Sequence, residues 1–339
     1  LDGLPPGLAL DEAAIAAEMA RRAPGQNALS TARKESDTVE IQSGFFNGFT
    51  TGTPLCARIV NSDQHSKDYS ILADKMRPGH ADYAGHVRYQ GFNDYRGGGH
   101  FSGRLTAPLV FSGAVAKQAL AQYGIIVGSH ILQINDIKEE RFNPMGVSDA
   151  ELAELHTKKF AVMDDAVGEK MQERILQAKS ELNSVGGVIE AIALHLPAGI
   201  GAPYFDSVES MLSHALFSVP AVKGVEFGDG FGFARLTGAE ANDALHYVDG
   251  KVKALTNHNG GVTGGITNGM PFVVRVAIKP TPSIAREQQT VSLKEQADTT
   301  LAIVGRHDPC IVQRAVPVIE AVVAWTLWDL LLEAKKWEK

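Results

Sequence analysis

The chain has 339 residues, of which 44% are hydrophobic and 21% charged, and a formal net charge of −7. Its length admits a large core or two domains, and its composition is that of a soluble globular protein, which excludes a disordered or fibrous chain. The acidic balance leaves no basic excess to neutralise phosphates and so excludes generic nucleic-acid binding; an anionic ligand needs a local cluster of Arg and His.

Residues 1–7 read as a proline-rich turn. Because the chain opens at Leu1 within LDGLPPG, a segment upstream is expected to be missing. Asp11 is an N-cap candidate for a helix over 11–22, with Ile15 and Met19 on one face and Pro24-Gly25 as the stop. Arg21 and Arg22 in its last turn either compensate the helix dipole or form an anion site at the helix exit. Alternation at Val39 and Ile41 predicts a strand, and 55–60 a second.

The stretch 77–106, RPGHADYAGHVRYQGFNDYRGGGHFSGRLT, holds four arginines, three histidines and a glycine triplet but almost no apolar run. It cannot bury enough apolar surface to fold by itself, and loops this long in a compact domain are functional or disordered. Its donors suit an anion, and Gly97, Gly98 and Gly99 would let backbone N–H groups approach a ligand shortly before a helix N-terminus. The alternative is a flexible surface loop with a solvated basic face. The pattern matches neither the P-loop nor the dinucleotide fingerprint.

Pro108 near its start and Gly124 past its end frame a helix of about four turns with Val110, Ala114, Leu120 and Ala121 on one face. Residues 125–137 read as a strand. Ser148 with Glu151 makes a capping box for a short helix. A longer helix follows over 165–183 with Met171, Ile175 and Leu182 inward, then a strand over 188–196 and a helix over 206–217. KGVEFGDGF ends a strand and tight turn over 222–231. The second glycine-dense loop, 260–269, precedes a strand over 270–279; Gly264 and Gly265 are either turn residues or a place where a flat ligand meets backbone. KPTPS at 279–283 is a stiff extended turn, and 288–302 reads as a surface hairpin.

A C-terminal helix is predicted over 311–337. Its most apolar part, 321–332, is interrupted by Asp329 and is too short to span a bilayer, and no signal peptide is legible. Cys56 and Cys310 stand far apart without a CxxC pattern, which points to a reducing compartment with neither a disulfide framework nor a zinc site. No composition shift divides the chain, so residues 1–339 are read as one domain. Strands and helices do not follow the regular rhythm of a doubly wound sheet, which makes α+β the expected class.

RPGHADY at 77–83, DYRGGG at 94–99, KGVEFGDGF at 223–231, NGGVTGGITNG at 259–269, KPTPS at 279–283 and GRHDPC at 305–310 occur in one order. Together they closely resemble chorismate synthase over essentially the whole chain. The resemblance implies a lyase that eliminates phosphate and a ring proton from 5-enolpyruvylshikimate 3-phosphate to give chorismate. It also implies a requirement for reduced FMN without net redox change, a layered β-α-β sandwich built on antiparallel sheets, and a homotetramer. A cytoplasmic enzyme supplied with flavin by an external reductant is expected, with no nucleic-acid or membrane partner and no metal. No dinucleotide loop speaks for internal reduction by NADPH.

Carried over by motif, His80 and Asp308 are the expected proton-handling residues, Asp308 also being a candidate N-cap of the last helix. Flavin contacts are expected from His100, Phe101, Ser102, Pro220, Ala221, Gly264, Lys279, Pro280, Thr281, Pro282, Ser283 and Arg306. Arg22, Arg77 and Arg104 are the expected phosphate and carboxylate donors, since Arg grips both bidentately. His86, Tyr89 and Arg96 are read as surface or structural. Three departures stand out. The family's N-terminal GESHG segment, whose histidine is the expected acid for the leaving phosphate, is not in this sequence, and its loss would leave a non-catalytic FMN- or anion-binding homologue. His100-Phe101-Ser102 replaces the Arg-Ser-Ser of one branch, and Ala28 stands where a basic residue is often found.

Overall fold

The computed structural model describes residues 1–25, 29–30, 37–61, 71–303 and 308–335. Helix α1 (Glu12–Arg22) is opened by Asp11, whose carboxylate accepts from the Ala13 and Ala14 N–H groups. Four short strands follow, β1 (Val39–Ser43), β2 (Phe45–Phe46), β3 (Phe49–Thr50) and β4 (Cys56–Ile59), paired as β1–β4 and β2–β3. The arginine- and histidine-rich stretch is not a bare loop. It forms helix α2 (Asp82–Arg88) and two 3₁₀ turns at 96–101 and 103–105 that lead into α3 (Thr106–Ala121). Strands β5 (Ile126–Ile134) and β6 (Ile137–Lys138) then make a hairpin. Helix α4 (Asp149–Thr157) carries the Ser148–Glu151 capping box, and α5 (Asp165–Ser180), β7 (Gly187–Leu194), α6 (Val208–Ser218) and β8 (Val222–Phe227) follow.

Beyond the short α7 (Gly238–Ala241), hairpins β9 (Leu245–Val248)–β10 (Lys251–Ala254) and β11 (Val262–Thr263)–β12 (Ile266–Thr267) precede β13 (Phe272–Ile278). The polar hairpin expected over 288–302 is β14 (Gln288–Ser292) with β15 (Ala297–Leu301), and α8 (Val312–Lys335) closes the fold.

The principal sheet is antiparallel in the order β6-β5-β7-β13-β8. One face, with Ile189, Ala191, Val274 and Val276, joins the main core with α8, α3 and α6. The opposite face packs Ile192, Leu194 and Val273 against Leu152 and Leu155 of α4. Covered on both faces, β13 reads as the continuous apolar run FVVRVAI broken only by Arg275. Val39, Ile41, Ala57 and Ile59 of β1 and β4 also pack on the main core. Helices pack on both faces of the large antiparallel sheet, and β1 and β4 add to the main core, which is the expected α+β class.

Three local readings change. Helix α5 ends at Ser180, and Leu182 takes a left-handed φ of 55° that turns the chain and leaves its side chain exposed, not inward. Ala121 is exposed at the end of α3. The last helix keeps close to its expected extent, but its apolar window is longer than 321–332: by length and hydropathy α8 passes as a membrane span, yet 83% of its most apolar window is buried by the rest of the fold. A helix apolar all round is a core helix when the other layers cover it.

Candidate active site

Four of the six motif segments, RPGHADY, KGVEFGDGF, KPTPS and GRHDPC, contribute to the lining of one cavity of about 650 Å³, a size usual for a small-molecule site; DYRGGG and NGGVTGGITNG contribute no lining residue. Its wall is built from the C-terminal end of α1, the turn before α2, the 3₁₀ segment before α3, the α6–β8 connection, the chain after β13 and the first turns of α8. Of the expected residues, Arg22, Arg77, His80, His100, Phe101, Ser102, Arg104, Pro220, Ala221, Lys279, Thr281, Pro282, Ser283 and Asp308 all line it. Gly264 and Pro280 do not. Gly264 has a φ of 62° in the tight turn between β11 and β12. Arg306 and Ala28 lie outside the described residues.

The glycine-rich segment is shaped by close contacts. Gly99, at φ 51°, brings its Cα so near the Asp94 carbonyl that a Cβ would lie 2.4 Å from that oxygen. Phe101 packs its ring on Gly85 of α2, where a Cβ would lie 2.6 Å from the ring. Glycine is therefore required at both positions for the segment to fold onto α2. Arg96 pairs with Asp94 at the surface, the structural role expected of it.

Six cationic side chains line the cavity among the described residues: Arg22, Arg77, Arg104, Lys223, Lys279 and Arg314. Their partners separate them. Arg22, 2% exposed, pairs with Asp37 and donates from Nε to Thr106 at 3.0 Å. It braces α1 against the start of α3. Arg77 donates from Nε and Nη2 to Asp82, both at 2.7 Å, and from Nη1 to Ser283 Oγ at 3.2 Å. Arg314 donates to Asp308 at 2.6 Å and to the Arg22 carbonyl at 3.0 Å. Because α8 begins at Val312, Asp308 is too early to be its N-cap and is held by Arg314 instead.

Arg104 and Lys223 pair with no carboxylate among the described residues, and Arg104 Nε is buried without a hydrogen-bond partner. Lys279 donates to the Gly79 carbonyl. Burial, with the neighbouring Lys223 charge, pushes its ammonium below the ordinary lysine range. Thr281 Oγ1 is likewise buried and without a partner. The cavity thus presents unneutralised cations and unfilled polar atoms, which suits a ligand with several negative charges.

His80 is held from behind. Its Nδ1 lies 2.7 Å from Asp82 Oδ1. Burial alone would raise the Asp82 carboxyl, but hydrogen bonds from Arg77 and His80 outweigh it and hold it well below the usual carboxylate range. Sequence reasoning missed Asp82, Lys223 and Arg314. Asp82 stands two residues after His80 within RPGHADY and Lys223 opens KGVEFGDGF, so both were in view as motif letters without a role. Arg314 had no signal, because its approach to Asp308 depends on where α8 starts.

A family model for chorismate synthase matches residues 1–332. The chorismate synthase of Thermococcus gammatolerans is 46% identical over 338 residues, covering 100% of this chain and 93% of that protein. That of Dehalococcoides mccartyi is 45% identical over 341 residues, covering 98% and 91%. A crystal structure of a chorismate synthase superposes with a TM-score of 0.75 at 29% identity, covering 98% of this chain and 86% of the other.

Proposed function

The chain belongs to the chorismate synthase family, and on that premise we propose that its cavity binds 5-enolpyruvylshikimate 3-phosphate and eliminates phosphate across the ring to give chorismate. The observation that carries this reading is the cationic cavity in which, among the described residues, Arg104 and Lys223 pair with no carboxylate and Arg104 Nε is buried without a partner. A substrate with one phosphate and two carboxylates needs several cations in one place, and charge-assisted hydrogen bonds are the strong ones. Arg104, Lys223 and Lys279 take the anionic groups in this reading, while Arg22 and Arg77, whose donors are already engaged, shape the wall behind them.

The reaction also calls for reduced FMN. The residues present suit a phosphorylated, flat ligand: Thr281 Oγ1 is a buried polar atom awaiting a partner, and Phe101, Pro220, Ala221 and Pro282 offer apolar surface beside it. His100, Phe101, Ser102, Pro220, Ala221, Lys279, Thr281, Pro282 and Ser283 would hold it. When bound, the reduced flavin supplies the electron density that breaking a non-acidic ring C–H requires and that no side chain offers.

His80 holds or moves a proton at the ring nitrogen left open to the cavity. Asp308, oriented by Arg314, is the second proton-handling group. We read the enzyme as a cytoplasmic homotetramer of single-domain subunits that receives reduced flavin from an external donor. An anaerobic assay with chemically reduced FMN, following chorismate absorbance, tests the proposal. Turnover with reduced FMN and none with oxidised FMN is expected; no turnover in either overturns it.

A further inference from the structure

We propose that Asp82 is a positioning residue for His80, fixing the imidazole with its proton on Nδ1 and leaving Nε2 as the nitrogen that works in the cavity. This rests on the reading of His80 as a proton-handling residue. The geometry is a short buried chain from Ser283 through Arg77 and Asp82 to His80. Their side chains are nearly dry, with Arg77 6%, Asp82 11% and His80 15% exposed. Asp82 Oδ2 accepts from the backbone N–H of Arg77 at 3.0 Å and from its Nε at 2.7 Å, while Oδ1 accepts from Arg77 Nη2 at 2.7 Å. Ser283 Oγ holds the far side of the guanidinium, and the His80 N–H donates to the Arg77 carbonyl at 3.2 Å. The carboxylate therefore has no freedom to swing away from the ring.

Two groups approach Nδ1: Asp82 Oδ1 at 2.7 Å and Arg77 Nη2 at 3.1 Å. They demand opposite tautomers, because a guanidinium only donates and a carboxylate only accepts. The carboxylate contact is the shorter, the guanidinium is already directed onto the same Oδ1, and an ionised acceptor makes the stronger bond. Nδ1 therefore carries the proton. The other edge of the ring, Cε1 and Nε2, lies beside Gly98, where a Cβ would stand 3.7 and 3.8 Å from them. Nε2 has no partner among the described residues. A single proton is gained or lost there; Asp82 stays ionised throughout and balances the ring when it is charged. The same chain engages Arg77, expected as a ligand cation, at Nε, Nη1 and Nη2.

Nitrogen-15 NMR of the histidine side chains in the ligand-free protein reads the tautomer directly, with the His80 signal identified by its loss in His80→Ala. The wild type is expected to show neutral His80 protonated at Nδ1, and Asp82→Asn to lose that single form. In the anaerobic assay Asp82→Asn is expected to lower kcat by about 10²–10⁴-fold, the span of an acid–base contribution, with KM changed by less than about threefold. Asp82→Glu, which keeps the charge, is expected to recover at least about tenfold of that loss. A wild-type His80 protonated at Nε2, or an Asp82→Asn protein with unchanged tautomer and kcat, overturns the proposal. The wild-type spectrum decides even if the variant does not fold. A wild type with the Nδ1–H form but no turnover supports the assignment of Asp82 while overturning the functional reading.

Discussion

Single side chains in the cavity differ less by identity than by what each is already bonded to. Arg22, Arg77 and Arg104 are equivalent as letters, and all three were expected to grip the substrate. In the fold, Asp37 occupies the first and Asp82 the second, whereas Arg104 keeps a buried Nε without a hydrogen-bond partner among the described residues. Arg104→Gln should therefore raise KM for the phosphorylated substrate by about 10- to 10²-fold, since a hydrogen bond to a charged group contributes about 1.5–3 kcal/mol. Steady-state kinetics at saturating reduced flavin measure it, and an unchanged KM would move the anion site elsewhere in the cavity. Cys310 belongs to the same scale. It is fully buried, and burial pushes its thiol up to about 12, so it is an inert core residue despite its place in the GRHDPC motif.

Elements decide how closely the site's supports approach one another. The cavity rests on α3 and α8, which cross at Gly113. A Cβ at that position would lie 2.2 Å from the Ala321 Cα, a backbone atom that cannot step aside. Gly113→Ala should lower stability by about 1–3 kcal/mol through overpacking, although alanine is the better helix former. Denaturant unfolding monitored by circular dichroism would show it, and a neutral result would mean that the two helices can separate without loss. Most elements were legible from periodicity, caps and turn residues: Asp11, the Ser148–Glu151 box and the hairpin after KPTPS all appear where local chemistry puts them. Helix α2 was not legible. Its sequence DYAGHVR carries one buried residue, Gly85, so there was no apolar face to read. It is held by Phe101 packing on Gly85 and by the Arg77–Asp82 pair.

Across the whole molecule, two buried ionic clusters tie the layers together. On the α4 face of the sheet, His130, Glu190, Arg275 and Glu226 stand opposite one another on four adjacent strands in alternating charge. Burial opposes a charged His130, but its hydrogen bonds to Glu139 and Glu190 outweigh this and raise its pKa. On the helix side, Glu320 of α8 accepts from Arg21 of α1, Lys117 of α3 and Ser129 of β5. Burial alone would raise the Glu320 carboxyl; the charges of Arg21 and Lys117 overcome it and hold it well below the ordinary 4.5. A depressed carboxyl contributes stability that is fully present above the unfolded value and is lost as pH falls toward the folded one. The protein should therefore lose stability as pH drops below about 4.5. Glu320→Gln should flatten that slope while costing about 3–5 kcal/mol near neutrality, because it removes the buried anion of the cluster and leaves Arg21 and Lys117 to share Glu18 alone. Unfolding free energies over a pH series check both, and an unchanged acid slope would remove Glu320 as the origin.

By itself the sequence determined the α+β class, most helices and strands, and the order of motifs that places the chain in its family, because caps, turns and periodicity act over a few neighbouring residues. Only the tertiary structure decided which arginines are paired with carboxylates, that Asp82 meets His80 Nδ1, and that Gly264 is not among the cavity-lining residues. Those outcomes rest on pairs such as Arg22–Asp37, Arg77–Ser283 and Arg21–Glu320, whose members are 15, 206 and 299 residues apart in the chain. An ion pair within hydrogen-bond reach depends on where both backbones end up, and no local pattern carries that information.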